Sequence, residues 1–422
     1  MGRRWHGGEW LLATLLASGC AVHDRCDNGT SCGPALLVLD CRPVQRGAIV
    51  PNCDGAPPRD AFAFNDAVPY CALAENEAQC LAATNASLAR ALEQEAAAIA
   101  AQAKGRHHAS DTSSQQHILH LQATQDRNRA AAEALQLYWR LAEAEGGVHN
   151  ARRRSLIVRR MVSDVERLQA AGLQPPVSLS TIQAQQIELV HKQVDLEATI
   201  DRLNHQLVKL LGAEPPPDSR LWPETDLTAV SVVPPLLECQ QLALQQRSDL
   251  CALRLAASAN DPQNLNASRA VLGQSGTGLG LATNPSALFA AWHVNARSEE
   301  AAVRQEQLAG TLAEQERIAR HDVAEAVAIL QARVVQIGLS GKRLELLERQ
   351  LDRLERSRPV EGAAGFEAHT ARLDALAAEQ DRLHDVIEWK IATVNLQEVQ
   401  GELAIQCGFT AALDCGAGIF CE

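Results

Sequence analysis

The sequence is poor in aromatic residues, which make up only 3% of its 422 positions. Ala, Leu, Gln, Arg and Glu fill much of the chain, so the β-branched and ring side chains that build sheet cores are few. This composition disfavours a β-sandwich and a doubly wound α/β enzyme. It favours a protein built from long helices that pack through Ala and Leu.

The chain also lacks a basic excess and a long apolar run. Its formal net charge is -12, which argues against a nucleic-acid partner because phosphate binding needs a basic surface. No uninterrupted apolar stretch approaches the ~20 residues of a membrane-spanning helix. We therefore expect neither a nucleic-acid-binding protein nor an inner-membrane protein.

Motifs for catalysis and metal binding are missing as well. The sequence has no H-E-x-x-H, no C-x-x-C and no Ser/His/Asp set in a nucleophile context. The histidines near residues 107–120 read better as solvated loop residues than as a zinc or copper site. The arginines of 152–160 read better as a face balanced by acids than as a substrate-selecting ring. We predict no catalytic residue, no metal site and no cofactor.

The N-terminus has the layout of an export signal. Arg3 and Arg4 precede a short apolar run, and small residues lead to Cys20, as in secretory signals. These small residues resemble the bacterial lipobox, although Ala stands where that pattern usually has Leu. The resemblance predicts a signal peptide over residues 1–20 and a diacylated Cys20, with Ala21 favouring the outer membrane. The alternatives are a plain signal peptide and a chance cysteine in a Cys-rich chain.

The twelve cysteines indicate an oxidising compartment, and seven of them lie within the first 80 residues. Residues 21–69, which we call the leader, are rich in Cys and Pro. We predict that disulfides among the cysteines from Cys26 to Cys53 cross-link this leader. If Cys20 carries lipid, eleven cysteines remain, and at least one thiol stays free. The sequence alone does not fix the pairing.

From Cys71 onward the sequence predicts two similar helical halves. Leucines at alternating spacings of three and four indicate narrow coiled-coil seams. The segment that begins at Glu133 recurs 192 residues later at Glu325, which indicates duplication. We predict a first helical-hairpin repeat at 70–235, a second at 236–408 and a Cys-containing tail at 409–422. The predicted helices span 75–103, 123–171, 179–211, 236–258, 298–356 and 366–405.

Four segments carry a resemblance to a known family. They read ALQLYWRLAEAE at 134–145, LQAAGL at 168–173, ALQQRSDL at 243–250 and WKIATVNLQEVQG at 389–401. In this order they resemble the TolC-like outer-membrane efflux proteins, also called outer-membrane factors, over about Tyr70 to Gly408.

The resemblance implies a homotrimer that forms a hollow helical tunnel across the periplasm, anchored in outer-membrane lipid. It also implies two further partners, a periplasmic adaptor protein and an inner-membrane pump. The adaptor would dock on the hairpin tip, and the second tip would place acids around the pore. The residues that match these roles are Leu168, Gly172, Leu173 and Ser178 for docking, and Glu361 and Glu367 for the acids.

The chain departs from the family where the outer-membrane strands belong. The first strand slot, residues 104–122, is too short and too polar for two strands of ~9–11 residues. The second slot, residues 264–295, is long enough but alternates poorly. We therefore expect an all-α or nearly all-α fold, in which two duplicated antiparallel hairpins form a periplasmic α-barrel segment and the β-barrel strands are reduced or absent.

Two functions follow from these observations. The first is passive transport through the trimeric tunnel of a tripartite efflux or export system. The alternative is a lipid-anchored periplasmic coiled-coil protein, structural or adaptor-like, without a pore.

Overall fold

A computed structural model describes residues 70–103, 109–216, 219–225, 227, 232–260, 265–274, 294–356 and 363–409. Within these ranges the chain is mainly helical, as its composition predicts. Its elements are β1 (Tyr70–Ala74), α1 (Glu75–Asn85), α2 (Ser87–Ala103), α3 (Ala109–Ala170), α4 (Leu179–Leu211), β2 (Arg220–Glu224), α5 (Leu236–Gln246), α6 (Ser248–Ser258), α7 (Leu265–Gln274), α8 (Val294–Arg356), α9 (Ala363–Gln400) and α10 (Glu402–Gln406).

Two long hairpins dominate the architecture. Helix α3 has 62 residues and pairs with α4, while α8 has 63 residues and pairs with α9. At 1.5 Å per residue, α3 is roughly 90 Å long. Helices α3 and α9 also pack on each other, so the neighbour order is α4, α3, α9, α8. The four helices form one layer, and α4 and α8 lie at its two edges.

The two hairpins end in the same way. Gly212 follows α4 with φ +59°, and Gly401 follows α9 with φ +79°. A Cβ at Gly212 would lie 3.2 Å from Asn85, where α1 breaks into α2. A Cβ at Gly401 would lie 3.1 Å from the Gln246 carbonyl oxygen, where α5 breaks into α6. Each long hairpin therefore closes against the break in its own short helix pair, as duplication would produce.

The predicted helices are present, with two kinds of difference. Three of them are broken, at Ala86, Arg247 and Gly401, where the chain bends around these closures. In addition, α3 begins at Ala109 instead of residue 123. Its early start is stabilised by the buried Ile118 and Leu121, which pack against cores formed with α6 and α7.

Helix occupies most of the first strand slot and part of the second. Residues 109–122 of the first slot belong to α3, and residues 265–274 of the second form α7. Residues 275–293 lie outside the described part of the chain. The strands found in the described ranges are β1 and β2, which pair in parallel from Tyr70↔Arg220 to Ala74↔Glu224. The buried Asn204 holds this pair on α4, because its Oδ1 accepts from the Leu221 amide at 2.7 Å.

The main core lies where the short helices meet the long ones. Tyr138 and Trp139 of α3 are fully buried there, with their rings edge to face at 5.2 Å. The Tyr138 hydroxyl donates to the Glu224 carbonyl at 2.6 Å, which ties α3 to β2. Burial raises the pKa of Tyr138, so this hydroxyl stays a donor.

Residues 402–409, which we call the C-terminal strap, fasten the second half to the first. A disulfide joins Cys407 to Cys80 of α1 across 327 residues. Gln79 donates to the Leu403 carbonyl at 2.9 Å, and Arg127 lies 4.2 Å above the ring of Phe409.

The other described cysteines are in two states. Cys71 and Cys251 are also disulfide-bonded, and among the described residues Cys239 is a free, buried thiol. The leader at 21–69, including Cys26 to Cys53, lies outside the described residues, so its cross-linking by disulfides stays a prediction.

We expect Cys407→Ser to lower the free energy of unfolding in urea by about 2–5 kcal/mol, because the disulfide restricts the unfolded chain over a very long loop. The double variant Cys80→Ser/Cys407→Ser is the matched control. Its free energy of unfolding should be at most a few tenths of a kcal/mol below that of the single variant. A Cys407→Ser protein with wild-type stability would contradict a stabilising strap.

Candidate functional site

The turn between α3 and α4 forms the tip of the first hairpin. The Gly172 amide donates to the Gln169 carbonyl at 2.9 Å, and the Leu173 amide donates to the Leu168 carbonyl at 2.8 Å. These two bonds, with φ +73° at Gly172, form a Schellman motif. Gly172 therefore has the left-handed conformation that glycine adopts most readily at the end of a helix.

The tip brings the four predicted docking residues into one turn. Leu168 is half-buried, whereas the Leu173 side chain is 58% exposed just after the turn. Ser178 caps α4, since its Oγ accepts from the Thr181 amide at 3.2 Å. The tip therefore presents one large apolar side chain on a backbone that is fixed on both sides.

The first turns of α9 lie beside the first tip. His369 of α9 contacts Asp164 of α3 at 3.2 Å, although 205 residues separate them. Phe366 packs on the apolar cluster that α3 and α4 share near the tip. Glu367 is exposed in the first turns of α9, and Glu361 lies outside the described residues. The sequence held no signal for the pairing of Asp164 with His369.

The two edge helices each carry a second apolar face. We define the α4 stripe as Ile187, Val190 and Val194, and the α8 stripe as Val303, Val335, Leu339 and Leu346. Their spacings place each set on one face of its helix, away from the buried face. These seven side chains are between 44% and 62% exposed. Neither stripe is evident from the sequence, because the Leu periodicity of these helices follows the buried face.

The two faces of α8 give this helix a high mean hydropathy. The segment Ser298–Arg356 contains an 18-residue window with mean hydropathy 1.4, of which 22% is buried. By length and composition alone this helix is apolar enough to cross a membrane, although charged residues interrupt its apolar sequence. A helix with one buried and one exposed apolar face reaches such an average without a continuous apolar run.

The arginine-rich part of α3 is balanced by acids. Arg152 pairs with Glu197 of α4 at 3.3 Å, and Arg153 pairs with Glu379 of α9 at 2.7 Å. His149 lies near both arginines, and burial followed by their charges lowers its pKa. This agrees with the interpretation of the arginines as a balanced face. Among the residues with described positions, no group of three or more His, Cys, Asp or Glu is arranged to hold a metal ion.

The chain matches no protein-family profile and no curated protein. Solved structures do resemble it, and three of them have the following similarity. The Campylobacter jejuni CmeC outer-membrane channel has a TM-score of 0.57 and 9% identity, over 87% of this chain and 96% of that one. A Pseudomonas aeruginosa membrane protein has a TM-score of 0.51 and 14% identity, over 83% and 96%. The outer-membrane channel OprN has a TM-score of 0.50 and 17% identity, over 69% and 70%.

The chain therefore has the fold of outer-membrane channels. At the level of fold, this confirms the resemblance to the TolC-like outer-membrane factors and the prediction of a helical-barrel architecture with few strands.

Two Gly→Ala substitutions with opposite expected effects on stability test the conformation of Gly172. Gly172→Ala should lower the free energy of unfolding by about 1–2 kcal/mol, because an L-residue is strained at positive φ. Gly338→Ala is the control, since Gly338 is exposed within α8 and a Cβ there meets nothing within 4 Å. It should raise stability by up to about 1 kcal/mol. Equal effects of the two changes in urea denaturation would contradict this tip geometry.

Proposed function

We propose that this protein is the outer-membrane channel component of a tripartite efflux or export system. In this proposal identical chains close into a helical tunnel, and cargo crosses it passively. The observation that carries the proposal is a layer of four long helices with an exposed apolar stripe at each edge. The fold shared with outer-membrane channels supports it.

The two stripes lie on different helices of the same chain, so they favour a head-to-tail contact between copies. Such heterologous contacts close into a ring when the rotation between copies permits. Burying a Val, Leu or Ile side chain gives about 1.5–3 kcal/mol, and seven partly exposed ones give on the order of 10 kcal/mol. That gain is comparable with the estimated 4–15 kcal/mol cost of association. Family resemblance sets the expected copy number at three.

The channel makes no bond and has no catalytic residue in this proposal. The energy for transport would come from an inner-membrane pump, and a periplasmic adaptor would join the pump to the tip. We assign adaptor docking to Leu168, Gly172, Leu173 and Ser178, with Leu173 as the apolar anchor. Glu361 and Glu367 would place negative charge around the closed end of the tunnel.

We further propose that Cys20 carries the lipid that attaches the protein to the outer membrane, with the helical body in the periplasm. Cys20 lies outside the described residues, and the lipobox resemblance supports this assignment. Two acyl chains anchor a protein stably without a spanning helix. The proposed organisation is signal peptide 1–20, leader 21–69, repeats 70–235 and 236–408, and tail 409–422.

One observation favours the alternative function. Helix occupies residues 109–122 and 265–274, in the slots where the family places outer-membrane strands. A lipid-anchored structural or adaptor-like coiled-coil protein would need no pore. The size of the assembly separates the two functions, because a tunnel requires a closed ring.

Leu339→Glu should abolish the assembly, because it places a charge between Val335 and Leu346 of the α8 stripe. We expect light scattering in mild detergent to show a trimer for the wild type and a monomer for this variant. Leu237→Glu is the matched control, since Leu237 is 72% exposed on α5 and outside both stripes. It should leave the trimer intact. A wild-type protein that is an elongated monomer or dimer would support the alternative.

Leu173→Glu should abolish adaptor pull-down and export, because the tip then offers a charge where docking needs an apolar anchor. Helicity and assembly size should not change, since Leu173 contributes little to the core. Leu88→Glu is the control, because Leu88 is 59% exposed on α2 and outside the tip. If export survives Leu173→Glu, the docking assignment is wrong even if the tunnel forms.

A further inference from the structure

A pocket of about 200 Å³ opens between α8 and α9. Its lining combines carboxylates, one amide and aliphatic side chains. The residues are Asp322, Glu325, Ala326 and Ile329 of α8, and Ala392, Asn395 and Val399 of α9. The lining is therefore acidic at one end of the α8 segment and apolar elsewhere.

The exposed apolar residue of this pocket lies off the α8 stripe. Ile329 is 43% exposed, but it lies six residues before Val335. At 3.6 residues per turn this spacing puts the two side chains on different faces of α8. The exposed Ile329 is thus separate from the α8 stripe, and the pocket gives it a distinct role.

The pocket carries more negative than positive charge. Arg247 donates to Asp322 at 3.0 Å and to Asp249 at 2.8 Å, so one guanidinium serves two carboxylates. Glu325 is exposed and makes no ion pair or hydrogen bond with any described residue. A cation that enters the pocket would therefore meet a carboxylate with no competing partner.

The opposite wall of the pocket is fixed. Gln136 of α3 donates to the Asn395 side-chain oxygen at 2.8 Å. Ala392, also in the lining, belongs to the core that α5, α8 and α9 share. Because this wall is already ordered, ligand binding does not carry the entropy cost of ordering its side chains.

We propose that this pocket binds an amphiphilic organic cation. The apolar body of the ligand packs on Ile329, Ala392 and Val399, and its charge lies beside Glu325. A bare metal ion suits the pocket poorly, because Asp322 is already engaged by Arg247 and the rest of the wall is aliphatic. The inference rests on the proposed function in one respect only: if the protein is a channel, such cations are a class of its cargo.

Calorimetry on the full-length purified protein tests the pocket, with benzyltrimethylammonium as the probe and phenylacetate as its anionic counterpart. We expect the cation to bind and the anion not to bind. Glu325→Gln should weaken cation binding about five-fold, as expected for loss of one partly exposed ion pair. Glu306→Gln removes another exposed carboxylate of α8 outside the pocket and should leave the affinity unchanged.

A second variant tests the apolar contact between the ligand and Ile329. Ile329→Ser should weaken binding of benzyltrimethylammonium at least three-fold, while circular dichroism shows unchanged helicity. Equal binding of cation and anion, or a Glu325→Gln protein with wild-type affinity, overturns the proposal.

Light scattering on the same samples measures the size of the assembly, so the pocket proposal and the channel proposal can fail independently. A wild-type trimer that does not bind the cation overturns the pocket and leaves the channel proposal standing. Binding by a protein that does not assemble supports the pocket and contradicts the channel. A Glu325→Gln protein that loses its assembly would assign the pocket to the contact between copies, and the ligand proposal would then be wrong.

Discussion

The contact between α3 and α9 is the interaction on which the rest of the structure depends, because it joins the two long hairpins directly into one layer. Polar side chains of α3 set its register through three hydrogen bonds. Asn128 donates to the Glu398 carbonyl at 2.9 Å, and Asn150 donates to the Leu376 carbonyl at 2.7 Å. Gln136 donates to the side-chain oxygen of Asn395. Apolar packing tolerates sliding between helices, whereas buried amides left without partners cost about 1–3 kcal/mol each. These bonds therefore select one alignment over a long interface.

A single layer has a physical consequence at its edges. In a compact bundle each helix buries one stripe, but α4 and α8 have a neighbouring long helix on one side only. Both helices nevertheless carry a second apolar face, which explains why α8 reaches the hydropathy of a membrane helix while remaining largely exposed. Exposed apolar area of this extent normally marks an interaction surface, and here its position follows from the order of the helices.

The sequence predicted the local features well and the distant ones poorly. Helix positions and the left-handed Gly172 follow from periodicity and from the backbone freedom of glycine, which are local properties. The pairs that join the halves, such as Asn150 with Leu376 and Asp164 with His369, are more than 200 residues apart and leave no pattern in one sequence. The early start of α3 was missed because Ile118 and Leu121 are isolated apolar residues, and only α6 and α7 give them a core.

The two ends of the layer differ in how tightly they are held. At the end with the short helices, α3 is tied by Tyr138 to β2 and by Arg127 to the C-terminal strap, and a disulfide closes the loop. Near the tips the hairpins share a small apolar cluster and the contact between Asp164 and His369. The disulfide and the hydrogen bonds to β2 thus hold the register at the end with the short helices, whereas near the first tip the hairpins are joined by apolar packing among α3, α4 and α9.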